Sequence, residues 1–406
     1  MRLSAAGPCM PFISAAAGHK KWTVVMMAFA NFAACTCFSL LAPFFPNEAA
    51  KKGASQTIIG LVFSCFELWI FASAPVFGSF LTRIGSRFMF ISGLFVCGSC
   101  AVLFGVLDRC PPDTIFIVMC FLVRTVEALG ASAFITASFA IIANEFPDHV
   151  ATVFGTLETF SGLGLMVGPP IGGALFELGG FGLPFWVMGS LLIGCAFLTC
   201  LLLPSRPDNP RPKRGSIFRL LTSPLVVVTT ITIVSGSFSL GFLDPTLANH
   251  LDQFHLSTAV VGLVFIVAPG IYALTAPLWG YLSDTKGISR FLIAVGNVVS
   301  GVSFLLLGPS PLLPFLKHQL WLVIVSLAVL GLSVGCALVS TLKCLIIGAK
   351  KVGFEDSLDT FGLVSGLFNS AFSLGTFIGP TVGSVIQEYK GFDWAATVTG
   401  ALFGIS

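Results

Sequence analysis

Charge is what this chain of 406 residues has least of. Asp, Glu, Lys and Arg make up 10% of it, against 55% hydrophobic residues and a mean hydropathy of +0.96. A soluble domain carries about 25% charged residues, because its surface must be covered with polar groups. A water-soluble globule is therefore excluded, and lipid is the natural solvent. The formal net charge of +3 makes no case for a nucleic-acid partner. Zinc-type spacing of Cys and His is missing too. Most of the 12 cysteines lie in apolar runs, as at Cys35, Cys37, Cys65, Cys97, Cys100, Cys195 and Cys336, and read as small hydrophobes. Only Cys110 reads as lumenal, so a disulfide framework is not expected. Neither a metal nor another cofactor is expected from these spacings. No nucleophile–base–orienter set is present, so the chain does not read as an enzyme. The first 21 residues end in His19-Lys20-Lys21 and lack a continuous apolar core. They read as a short cytoplasmic tail rather than a signal peptide.

What is present is a series of long apolar runs. A helix needs about 20 residues to cross a hydrocarbon core of ~30 Å. Predicted spans are Trp22–Pro46, Ile58–Thr82, Phe88–Leu107, Thr114–Ala143, Val150–Phe176, Leu183–Leu203, Pro224–Leu247, Ala259–Leu282, Arg290–Leu307, Leu320–Ile347, Phe361–Ile386 and Phe392–Ser406. The last reaches roughly 22 Å at 1.5 Å per residue and is too short to cross, so the twelfth helix reads as truncated. With the N-terminus in the cytoplasm, Lys and Arg outside the spans number fourteen inside and five outside, a positive-inside bias. The expected organisation is a tail (1–21), a six-helix bundle (22–203), a basic linker (204–222) and a second bundle (223–406).

The halves repeat. Gly60-Leu61-Val62-Phe63 recurs as Gly262-Leu263-Val264-Phe265, an offset of 202 that also carries Pro43 to Pro245, Pro75 to Pro277 and Gly78 to Gly280. Repeated halves meeting at a central cavity suit a carrier in which one half rocks on the other. The loop after the second span reads Gly78-Ser79-Phe80-Leu81-Thr82-Arg83-Ile84-Gly85-Ser86-Arg87, and that after the eighth Gly280-Tyr281-Leu282-Ser283-Asp284-Thr285-Lys286-Gly287. The fifth span carries Gly155, Gly164, Gly168-Pro169 and Gly172-Gly173. The eleventh carries Gly366, Gly375, Gly379-Pro380 and Gly383-Ser384, at an offset of 211. Such glycines let helices approach closely, and prolines distort them.

Ionisable groups inside the spans are functional candidates by default. They are Glu67, Arg124, Glu127, Glu158, Asp244 and Lys343. Four acids against two bases favour a cationic passenger. Desolvation disfavours the charged form of a carboxyl group, which lets it take up and release protons. Arg124 and Glu127, three apart, share one helix face. Glu158 has no nearby base in sequence, and Asn369 occupies its repeat position. Glu67 either faces a cavity or snorkels. Lys343 is expected to reach the cytoplasmic interface, and Asp244 reads either as a binding group or as a helix-end cap.

These motifs resemble the major facilitator superfamily, whose fold is all-α with two pseudo-repeated six-helix bundles. The two loops are similar to its Gly-x-x-x-Asp-Arg-x-Gly-Arg gating loops, which implicates Gly78, Arg83, Gly85, Arg87, Gly280 and Asp284. Thr82 stands where the family has Asp, so the first copy lacks its acid. The fifth span looks like the family's antiporter signature, and Arg124-Thr125-Val126-Glu127 like its fourth-helix motif tied to proton coupling, with Glu127 in place of Gln. Phe242-Leu243-Asp244-Pro245-Thr246-Leu247, Leu157-Glu158-Thr159-Phe160-Ser161 and Phe44-Phe45-Pro46-Asn47-Glu48 resemble vesicular amine transporters, most of all their polyamine branch.

The resemblance implies proton-coupled antiport of organic cations, polyamines above all and monoamines besides, into secretory or synaptic vesicles. Glu127, Glu158, Asp244, Asn369 and Tyr272 would serve as substrate contacts, and Arg124, Glu127 and Glu158 as the proton-coupling set. The expected partners are the cation, protons and the lipid bilayer, with the protein acting as a monomer. Ala34 and Asn369 replace acids of the monoamine members, which counts against dopamine-like recognition. Two rival readings are a proton-driven drug or organic-cation exporter at the plasma membrane, and a non-transporting scaffold or sensor of the same fold.

Overall fold

The computed structural model describes residues 18–202, 216–256, 258–311 and 318–404. The expected tail, except its last few residues, and most of the expected linker lie outside the described residues. Twelve main helices follow one another: α1 Gly18–Ser39, α2 Gln56–Ile84, α3 Ser86–Phe104, α4 Thr114–Glu145, α5 Val150–Gly179 and α6 Gly182–Leu202, then α7 Pro224–Leu251, α8 Thr258–Lys286, α9 Ser289–Leu307, α10 Leu320–Lys351, α11 Leu358–Lys390 and α12 Phe392–Phe403. No strand occurs among the described residues. Eleven of these helices are long and apolar enough to cross a membrane; α12 has 12 residues. In hydrocarbon every backbone polar group must be satisfied within its own segment, which leaves helices as the form open to these runs.

The predicted spans differ from the helices mainly at their ends. The first was read as continuous from Trp22 to Pro46, but α1 stops at Ser39 and a separate short helix, Phe45–Lys51, follows. The reason is local: Pro43 and Pro46 cannot supply the amide hydrogens that a continuing helix needs. Some other helices, α7, α8 and α11 among them, extend past the apolar run by about a turn, whereas α3 ends three residues short of it. Ser55 caps α2 by accepting from the Ile58 amide, and Ser357 caps α11 by accepting from Thr360.

Lipid tails are as apolar as leucine, so close packing rather than water exclusion holds these helices together. α5 lies on α1: a Cβ at Gly164 would sit 2.5 Å from the Phe32 carbonyl oxygen, and one at Gly172 would collide with that of Leu40. The second half repeats this with α11 on α7, where a Cβ at Gly379 would sit 2.5 Å from the Phe238 oxygen. The same two helices also meet the opposite half. Gly155 of α5 faces the Ala276 carbonyl of α8, and Gly366 of α11 faces that of Ala74 in α2. Pro169 lies inside α5 next to Pro170. A Cβ at Gly173 would meet nothing within 4 Å, so that signature glycine makes no close approach.

Candidate functional site

The halves close at the face that carries the linker. Residues 150–155 of α5 and 361–370 of α11 are all buried, whereas Thr156, Glu158, Thr159, Phe372, Leu374 and Thr376, farther along the same helices, are partly exposed. Burial at these positions thus falls off away from the linker face, and we read the partly exposed stretch as a cleft between the halves on the opposite, distal side.

Two carboxylates stand in this cleft. Tyr272 of α8 donates its hydroxyl to Glu158 Oε2 of α5 at 2.8 Å, and next to it the Thr159 hydroxyl donates to the Ala273 carbonyl at 2.6 Å. On the other side Thr376 of α11 donates to Glu67 Oε2 of α2 at 3.1 Å. Each carboxylate therefore belongs to the N-terminal half and is held by a hydroxyl of the C-terminal half. Of the two placements open for Glu67, the structure selects the cleft. No sequence pattern signalled this, because its partner is 309 positions away.

Glu127 is placed elsewhere, paired with Arg124 rather than beside the two cleft acids. Its Oε2 accepts from Arg124 Nη1 at 2.9 Å, and the pair is buried within the N-terminal half. Rings of Phe38, Phe63, Phe66 and Phe104 surround the Arg124 guanidinium at 5.2–6.0 Å. Their negative faces offset part of its lost hydration. Arg124 Nε and Nη2 have no hydrogen-bond partner among the described residues. Asn369, the repeat counterpart of Glu158, is buried and donates to Thr136 of α4 at 3.1 Å, tying the halves together. Asp244 lies in α7, with its side chain outside the described residues.

The two loop motifs form clasps at the linker face. Asp284, at the end of α8, accepts from the Thr152 amide and hydroxyl, each at 2.7 Å, and from Lys343 Nζ at 2.9 Å. It thereby caps the first turn of α5 across the molecule, where the helix dipole favours an anion. Lys343, expected to reach the cytoplasmic interface, also donates to the Ser283 carbonyl at 3.1 Å in this clasp at the linker face. A Cβ at Gly280 would collide with Ala151, and one at Gly78 with the Gly362 carbonyl. In the first copy Thr82 donates its hydroxyl to Asp359, in the first turn of α11. The acid missing from the loop is present after all, on the opposite partner. Gly85 and Gly287 turn the chain at φ 95° and 64°, the left-handed region that glycine tolerates. Arg83 lies over the Phe80 ring at 5.5 Å, and Arg87 donates to the Cys200 carbonyl.

The family model of the Major Facilitator Superfamily matches residues 27–243 and 225–406. The chain belongs to the major facilitator superfamily. Among its relatives, the human MFS-type transporter SLC18B1 is 44% identical over 381 residues, covering 93% of this chain and 83% of that protein. The human chromaffin granule amine transporter is 27% identical, covering 85% of this chain and 63% of its own. The crystal structure of the human organic anion transporter MFSD10 (TETRAN) superposes with a TM-score of 0.79 at 15% identity, covering 96% and 99% of the two chains; that likeness concerns the fold alone. This major facilitator protein is a multi-pass membrane transporter related to the vesicular amine carriers.

Proposed function

We propose that this major facilitator protein is a proton-coupled antiporter that loads organic cations, polyamines foremost, into secretory vesicles. The carrying observation is the pair Glu67 and Glu158, two acids on opposite sides of one cleft, each hydrogen-bonded to the other half of the molecule. A linear polycation needs carboxylates spaced along its length, and the cleft offers two, with Asp244 as a third candidate on α7. A bound cation or a proton at either acid competes for the same oxygens as Tyr272 or Thr376. Occupancy is thereby linked to how the halves meet, which is what an exchanger requires. The kinship with amine carriers supports the cationic substrate class and the vesicular location. Closed clasps at the linker face and an open distal face correspond to the releasing state of such a cycle.

The test is uptake by purified protein in liposomes with an acidic interior, across spermine, spermidine, monoamines and an organic anion. Gradient-dependent accumulation of polyamines, abolished by a protonophore, is the expected result. Absence of uptake for every amine would overturn the reading and leave a non-transporting role for the fold.

A further inference from the structure

A second cluster of ligating side chains lies on the distal face of the C-terminal half, away from the cleft acids. It comprises His250 at the end of α7, His318 just before α10 and Asp393 in the first turn of α12. One donor atom from each lies within 4.8 Å of the other two, and His318 Nε2 is 3.4 Å from Asp393 Oδ2. The geometry points to a binding site for a transition-metal dication of the zinc type, held by His250, His318 and Asp393.

The bond lengths are compatible. Zinc takes His nitrogen and carboxylate oxygen at about 2.0–2.2 Å in a tetrahedron, which puts neighbouring ligands about 3.3 Å apart. The His318–Asp393 edge already has that length. The remaining donors, already within 4.8 Å of one another, need close by about 1.5 Å at most, and His318 and Asp393 are partly exposed. His250 is the fixed arm. It is buried, its ring stacks on Phe392 at 4.0 Å and 21°, and Gln253 donates to its carbonyl at 2.7 Å. Two imidazoles and one carboxylate suit zinc, copper or nickel better than magnesium or calcium, which prefer oxygen. Three protein ligands leave a fourth position to water.

The three residues come from separate segments, so no local Cys/His spacing announces them. A metal here would staple the distal end of α7 to α12 and to the α9–α10 connection.

The test is metal binding by the full-length protein in detergent, read by equilibrium dialysis and by thermal unfolding. The probes are Zn²⁺, with Co²⁺ for its tetrahedral absorption bands and Mg²⁺ as control. The expected result is one high-affinity equivalent of Zn²⁺, a Tm raised by about 2 °C or more, and no response to Mg²⁺. Both signals should disappear in His318→Ala and in Asp393→Asn, whose partly exposed positions spare the core. Zinc binding that survives in both variants, or no uptake by the wild type, would overturn the site. Neither readout involves transport, so failure here leaves the antiporter reading untouched.

Discussion

Tyr272 and Glu158 join the two halves of the transporter through one hydrogen bond of 2.8 Å, from a phenol on α8 to a carboxylate on α5. A bond to a charged acceptor is worth about 1.5–3 kcal/mol. Any cation that takes over the carboxylate must replace it, which makes Glu158 a point where binding is felt by both halves.

Glu158→Gln should abolish gradient-driven cation uptake while the protein remains folded in the membrane. Tyr272→Phe should keep transport and shift the KM by roughly tenfold, as expected for about 1.4 kcal/mol. Liposome uptake with both variants checks this, and near-normal uptake by Glu158→Gln removes that acid from the site.

The Asp284 clasp is expected to hold the linker face shut. Asp284→Ala removes a helix cap worth about 0.5–2 kcal/mol and leaves Lys343 without its counter-charge. Spin labels on Asp148→Cys and Lys286→Cys, both exposed positions, with Cys200 replaced by serine, read the separation of α5 and α8. The distance distribution should move to longer values, and an unchanged distribution refutes a gating role.

Thr82 and Asp359 invite a charge swap. Thr82→Asp restores the family's loop acid but sets it against Asp359, so transport and Tm should both fall. Adding Asp359→Thr should recover most of the loss, because the clasp again has one acid and one hydroxyl. Purely additive effects in the double variant would mean that the two side chains do not interact.

Gly164 and Gly173 belong to the same sequence signature but should differ under mutation. Gly164→Val drives side-chain atoms into α1 and should destabilise by about 1–3 kcal/mol. Gly173→Ala, with open space around its Cβ, should be nearly silent. Thermal unfolding in detergent measures both.

The Arg124–Glu127 pair makes the last prediction. Glu127→Gln leaves a buried guanidinium without its counter-charge, at a cost of about 3–5 kcal/mol. The double replacement Arg124→Met with Glu127→Leu should recover most of that stability. If the double variant also transports normally, the pair serves structure alone.

Much of this transporter is legible from the chain alone. Apolar runs of about 20 residues have one stable form in lipid, so the helices follow from hydropathy though their ends do not, and the repeat offsets of 202 and 211 announce two like halves. Glycine spacing on α5 and α11 likewise reports close approach, since a missing Cβ is visible in sequence. Partners across the cleft are not legible, because electrostatic and hydrogen-bond pairing depends on distance in space. Glu67 met Thr376 and Thr82 met Asp359 only once the halves were packed together, and Lys343 met Asp284 only once α8 and α10 were. Glu127 and Glu158 already differ in sequence, since Glu127 has Arg124 three residues away and Glu158 has no base nearby. What only tertiary structure decides is that the Arg124–Glu127 pair is buried within one half while Glu158 meets Tyr272 of the other, because burial and partners on other helices depend on how the helices pack.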